Sequence, residues 1–263
     1  SHRTDYLWGP YQNRIQTLSS VLASMKLPVV LYLHDIYGLN PLRNLIEKIL
    51  CVVAENPAAR VISYQRRFMR AIDPYVTRYI VSNDIERERL GQFVKKAKVS
   101  VLPHFIETRH LPDDMPAAKE KLGFSGKKIV TLLGFIVERK GYEDAIACLA
   151  HLPEEVHMVF AGKGNDDYLD HLMGLARHRG VENRLSVTGY LTEDDLNIYM
   201  AATDVALCPF HDVSASGSVC TWLSAGKPII SYDLPLMRDY TAKFPAHFGL
   251  VKKDDTNALA GAV

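Results

Sequence analysis

Short apolar runs alternate along most of this chain with longer stretches that repeat an apolar residue every three or four positions. The pattern is plainest in the second half. Runs at 128–133, 156–161, 185–188, 205–208 and 228–231 are apolar on both faces, which predicts strands of a parallel sheet covered on each side by helices. Between them, 142–151, 166–179, 193–201 and 218–225 carry helical periodicity. In the first half the same reading predicts strands at 28–34, 60–64, 78–82 and 99–103, and helices at 12–25, 42–54, 66–72 and 84–95. Pro112 and its charged neighbours mark 107–115 as a connection. Two successive sets of strand–helix alternation predict an α/β protein of two Rossmann-like doubly wound domains. The first, 1–106, reads as abbreviated; 107–126 is a linker and lead-in; the second occupies 127–263.

Doubly wound sheets bind ligands beyond the carboxyl ends of their strands. In the second domain those ends carry Gly134, then Gly162-Lys163-Gly164, then Gly189-Tyr190, then Pro209-Phe210-His211-Asp212. One glycine at a strand end is an ordinary turn residue; their recurrence along one rim points to a binding site. The segment that follows begins with Ser214, Ala215, Ser216, Gly217 and Ser218, continues as a short apolar helix, and is stopped by Gly226-Lys227-Pro228. Small residues at a helix start let backbone N–H groups approach a ligand where the helix dipole favours negative charge. The pattern suits a diphosphate cradle, and it equally suits an ordinary serine-capped helix.

Composition narrows the class. Of the 263 residues 48% are hydrophobic and 23% charged, as in soluble globular proteins, and no apolar run has the roughly 20 residues a bilayer span needs. Cys51, Cys148, Cys208 and Cys220 lie far apart without zinc spacing, which favours reduced thiols and a cytoplasmic location. Charge is unevenly divided. Residues 1–105 hold 15 Lys/Arg against 8 Asp/Glu, a net of +7, whereas the remainder is net −6. The basic half, with Arg66, Arg67, Arg70, Arg87, Arg89, Lys95, Lys96 and Lys98, is suited to an anionic membrane surface or a phosphorylated substrate, or is simply a set of solvated helix faces. It lacks the interleaved aromatics of a nucleic-acid binder.

The motifs LLGFIVERKGYEDAI at 132–146, VFAGKG at 159–164, VTGYLTEDDL at 187–196 and SASGS with SAGKPII together resemble the donor-nucleotide domain of GT-B glycosyltransferases, specifically the retaining glycosyltransferase group 1 family. The resemblance covers 127–239. It implies that Lys140 binds the donor diphosphate with Gly134, Ser216, Gly217 and Ser218. The family's accompanying arginine falls on Phe135, leaving Arg139 as the neighbouring cation. The family's paired glutamates fall on Val213 and Thr221. Asp212 and Ser214 are then the candidates for the donor sugar, and Thr221 offers one hydroxyl to the ribose. Gly162, Lys163, Gly189 and Tyr190 are candidates for the nucleoside, although Tyr190 serves packing equally well. The resemblance also implies that no metal is needed.

The first half resembles the family less closely. YLHDIYG at 32–38 sets His34 and Asp35 at a strand end, where the family often has a histidine near the transferring sugar, so both are catalytic candidates. His104 reads as a hinge or packing residue. The expectation is a cytoplasmic, membrane-peripheral transferase moving a hexosyl group from a nucleotide-diphosphate sugar to a glycan, lipid-linked or small-molecule hydroxyl. The alternatives are a non-catalytic nucleotide-sugar or partner binder and a GT-B-type epimerase; the latter would need an acid/base carboxylate set that the sequence does not display.

Overall fold

The computed structural model describes residues 12–25, 27–33, 36, 57–104, 106, 108–112 and 114–263. The chain divides into two units, Ser1–His104 and Phe105–Val263.

In the first unit, helix α1 (Gln12–Ser24) precedes strand β1 (Val30–Tyr32), helix α2 (Pro57–Ile72), strand β2 (Arg78–Val81), helix α3 (Asp84–Leu90) and strand β3 (Val99–Val101). The three strands form a parallel sheet in the order β1-β2-β3. The predicted strand at 60–64 is instead part of α2. Its β-branched residues read as strand, but the wider segment buries Gln65, Phe68, Met69 and Ile72 and exposes Arg66, Arg67 and Arg70, which is helical spacing. Met69, Ile72, Tyr79, Val81 and Leu90 form the core beneath this helix. Asn83 caps α3 by accepting from Glu86 N–H, while buried Glu86 accepts from the backbone and hydroxyl of Ser82. This reciprocal arrangement ties the strand exit to the helix start.

Much of the first unit's positive charge is spent locally. Arg87 pairs with Asp84, Lys96 with Glu88, and Lys98 with Asp73. Arg89 donates to the carbonyl of Ile36.

The second unit opens with helix α4 (Met115–Lys121), inside the stretch expected to be linker. Asp114 caps it and Pro116 sits in its first turn, a start signal overlooked among the neighbouring charges. There follow β4 (Lys128–Leu133), α5 (Tyr142–Leu149), β5 (Val156–Ala161), α6 (Asp166–His178), β6 (Leu185–Val187), α7 (Glu193–Ala202), β7 (Val205–Cys208), α8 (Gly217–Ser224) and β8 (Ile229–Tyr232). Helix α9 (Pro235–Lys243), strand β9 (Phe248–Val251) and helix α10 (Thr256–Ala262) close the unit.

The six strands are parallel and lie in the order β6-β5-β4-β7-β8-β9. The chain runs outward from β4 to one edge, then returns beside β4 at β7. The β4/β7 boundary is therefore the topological switch point, where a doubly wound sheet opens a crevice. Residues of β5 are buried throughout, in keeping with strands covered on both faces. Asp204 anchors the start of β4, accepting from Ile129 N–H and the Lys119 ammonium, each at 2.6 Å. Thr131 and Thr203 share a buried hydroxyl contact of 2.7 Å between β4 and the turn into β7.

Candidate functional site

Backbone geometry at the switch point explains the glycines of the rim. Gly134, just past β4, has φ +106°, a conformation that favours glycine. A side chain there would also meet the Lys140 ammonium at 2.5 Å. At Gly162, just past β5, an added Cβ would lie 2.0 Å from the Gly134 carbonyl oxygen. Gly141, at φ +73°, would place a Cβ 1.9 Å from the Pro209 carbonyl oxygen. Three strand exits thus press backbone on backbone, leaving no volume for side chains between them. The exit turns are also stitched together: Gly134 N–H donates to Ala161, Ile136 N–H to Lys163, and His211 N–H to Arg139.

Lys140 ends the single turn between β4 and α5. Its Nζ donates to the Leu133 carbonyl at 3.2 Å and lies 5.9 Å from the centre of the Phe210 ring. The ammonium therefore sits at the rim, against Gly134. Arg139, one residue earlier, lines a different hollow of about 750 Å³ with Glu138, Glu143, Asp167, Tyr168 and His171. That acidic setting is poorly matched to a shared anion.

Helix α8 starts as its small residues foretold. Ser216 is the N-cap; its Oγ accepts from Val219 N–H at 3.3 Å and lies 3.1 Å from Ser218 Oγ. The N–H groups of Gly217 and Ser218 belong to the first turn and have no intrahelical acceptor. A Cβ on Gly217 would meet nothing within 4 Å, so the helix start opens on free space. Ser214 and Ser216 are buried and Asp212 is exposed. Val213, the first expected glutamate position, is 6% exposed. The Thr221 hydroxyl donates to the Gly217 carbonyl at 2.9 Å, so it faces any ligand as an acceptor.

Tyr190 follows Gly189, which has φ +71°, and is 81% exposed. That exposure removes packing as its role. Lys163 is exposed, with its carbonyl committed to Ile136. His34 and Asp35 lie outside the described residues. His104 packs its ring edge-on against Tyr32, 6.4 Å between centroids.

Two groups escaped the sequence reading because their members are far apart in the chain. His211 Nδ1 lies 3.2 Å from Asp254 and Nε2 3.7 Å from Asp144, and Tyr232 donates to Asp144 at 2.6 Å. Burial and the Asp144 hydrogen bond push the Tyr232 phenol well above its usual range. This imidazole between two carboxylates tethers the β7 exit loop to α5 and to the turn after β9. The second group centres on Arg109, whose Nη1 donates to Glu193 at 2.9 Å and to Asn197 at 2.7 Å.

Residues 114–263 match the family model described as glycosyl transferases group 1. The chain belongs to this family. It is 25% identical over 219 residues to a 2-deoxystreptamine N-acetyl-D-glucosaminyltransferase of Streptomyces fradiae, covering 78% of this chain and 52% of that protein. It is 28% identical over 146 residues to the lipopolysaccharide core biosynthesis glycosyltransferase LpsE of Rhizobium meliloti, covering 55% and 40% respectively. Among solved structures, HepE of Anabaena in complex with UDP-glucose superposes with a TM-score of 0.77 at 18% identity, over 95% of this chain and 65% of that one. The fold is therefore that of the GT-B glycosyltransferases. The chain spans about half the length, or less, of the curated relatives it matches. Among the described residues no helix is long and apolar enough to cross a membrane.

Proposed function

We propose that this chain is a retaining glycosyltransferase that moves a hexosyl group from a nucleotide-diphosphate sugar to a hydroxyl of a glycan, lipid-linked or small-molecule acceptor. The observation that carries the reading is the open first turn of α8, on the same unit as the Lys140 ammonium at the switch-point rim. Departure of a nucleoside diphosphate concentrates negative charge on two phosphates. The N–H groups of Gly217 and Ser218, the helix dipole and Lys140 are pre-oriented toward that charge, which is the arrangement that stabilises a leaving anion most effectively. In this reading the phosphates are held by main chain and lysine, with no metal required. Tyr190 offers an exposed ring to the base.

The UDP-glucose bound to HepE supports a UDP-hexose as the first donor to try. The Streptomyces and Rhizobium relatives support small-molecule and lipopolysaccharide acceptors respectively. The exposed Arg66, Arg67 and Arg70 of α2 suit an anionic acceptor or membrane surface at the inner face of the cytoplasmic membrane. His34 and Asp35 are assigned to the transferring sugar on the family resemblance.

The test is nucleotide binding by thermal shift with UDP, GDP and ADP, followed by the same panel on Lys140→Ala. A bound nucleotide raises the melting temperature by mass action, and the variant should lose most of that rise. An unchanged rise removes Lys140 from the site. Burial of Val213 favours a second reading, a binder without turnover, because no carboxylate stands at that position. Transfer or slow donor hydrolysis with radiolabelled UDP-glucose excludes it.

A further inference from the structure

His211, in the loop that leaves β7, stands between two carboxylates from distant parts of the chain. Asp144 lies in the first turn of α5 and Asp254 in the turn beyond β9. One ligand atom from each of the three lies within 4.8 Å of the others. An imidazole set among carboxylates is the mixed nitrogen and oxygen donor set that holds first-row divalent metals.

The placement of protons points to a cation. A carboxylate only accepts, so the 3.2 Å contact between Asp254 and Nδ1 requires the ring proton to be on Nδ1. The neutral ring then turns the lone pair of Nε2 toward Asp144, 3.7 Å away and likewise an acceptor. Asp144 Oδ2 already accepts from the Tyr232 hydroxyl at 2.6 Å, and burial with Asp144 alongside keeps that phenol protonated. Two acceptors that face each other repel unless something positive lies between them. Among the described residues no lysine or arginine is within ion-pair distance of Asp144 or Asp254, so no neighbouring cation supplies it.

The separation itself discriminates. It is long for an N–H···O hydrogen bond, which ends at about 3.2 Å. It is close to the roughly 3.4 Å between two ligands of a tetrahedral ion bonded at about 2.1 Å. We infer that a divalent transition-metal ion of the zinc class binds between His211 Nε2 and Asp144, with Asp254 as the positioning residue that orients the imidazole through Nδ1. Tyr232 orients the Asp144 carboxylate in the same way, and such partners behind the ligands are what fix a metal site. The ion joins the loop that leads into α8 to the helix that follows Lys140 and Gly141, bracing two segments of the rim. Neither Lys140 nor the α8 start is a ligand, so the inference stands apart from the diphosphate reading.

The experiment is calorimetric titration of the chelator-treated chain in neutral buffer with zinc chloride and, separately, magnesium chloride, repeated on His211→Gln and Asp254→Asn. Zinc affinity should fall about tenfold or more in each variant. Magnesium favours oxygen ligands and sheds its water reluctantly, so it should bind about tenfold more weakly than zinc, or less tightly still. Zinc should also raise the melting temperature of the native chain, and do so less in either variant. The Asp254 side chain is 65% exposed and asparagine matches its shape, so this variant folds normally and keeps the test decisive should His211→Gln melt early. Absence of zinc binding, or an affinity unchanged in both variants, overturns the inference and leaves a proton in the gap. Magnesium binding as tight as zinc and indifferent to His211 also overturns it, and reduces the group to general attraction by carboxylates.

Discussion

Gly141 is where the glycine rim is most tightly constrained, and replacing it with alanine separates two physical effects. Its φ of +73° is a left-handed conformation, which costs an L-residue about 1–2 kcal/mol. The added Cβ would also lie 1.9 Å from the Pro209 carbonyl oxygen and 2.9 Å from its carbon. Neither atom is the end of a flexible side chain, so the exit of β7 must shift, at a further cost of about 1–3 kcal/mol. Gly180 supplies the control within the same unit: φ is +71° and a Cβ would meet nothing within 4 Å. Gly141→Ala should therefore destabilise by about 2–5 kcal/mol and Gly180→Ala by about 1–2 kcal/mol. Urea unfolding of the three proteins measures this, with m held constant as the check that the unfolded states match. Because Lys140 precedes Gly141 directly, nucleotide affinity should fall in the first variant alone. Equal losses in the two variants would show that the contact with Pro209 carries no energy, and would refute the claim that the rim is sterically locked.

Two further outcomes follow from buried or half-buried polar groups. Burial, with Lys127 and Arg184 adding repulsion, lowers the His157 imidazole from its ordinary value near 6.5 to about 4; its Nε2 contacts Ser186 at 2.7 Å. The unfolded chain takes up that proton first, so stability should fall as pH drops from 6.5 toward 4, by up to about 3 kcal/mol. Melting curves across this range should flatten in His157→Gln; an identical slope would assign the acid sensitivity elsewhere. Asp204→Ala strips acceptors from Lys119 and from Ile129 N–H and should cost about 1–3 kcal/mol in chemical denaturation. Asp204→Asn keeps an acceptor and should cost less, and equality of the two would discount the hydrogen bonds.

Where hydrophobic period and punctuation agreed, the sequence was legible to the residue. Strands β4, β5 and β7 match their predicted bounds because each is a short apolar run closed by Gly or Pro. The strand expected at 60–64 failed because Val61 and Ile62 favour extended backbone locally, while the apolar face of α2 is decided over sixteen residues. Elements α9, β9 and α10 passed unnoticed in a stretch where Pro, Lys and Asp obscure the period. At the site, the glycine rim and the Ser/Gly helix start were readable, since both are consequences of local backbone geometry. The Arg109 bridge was not, because Glu193 is 84 positions away and only the fold closes that distance. Arg139 shows the converse: a residue adjacent to Lys140 in sequence has its side chain in a different hollow.

The seat of Val213 bears on how this chain could be re-engineered. That side chain lies in the loop that leads to α8 and is buried, so an ion placed there would be largely removed from solvent. A glutamate introduced there would hold its proton or pry the loop outward, so a single substitution cannot graft in a sugar-gripping anion. Any such redesign must rebuild the loop from Phe210 to Ser216 as one piece.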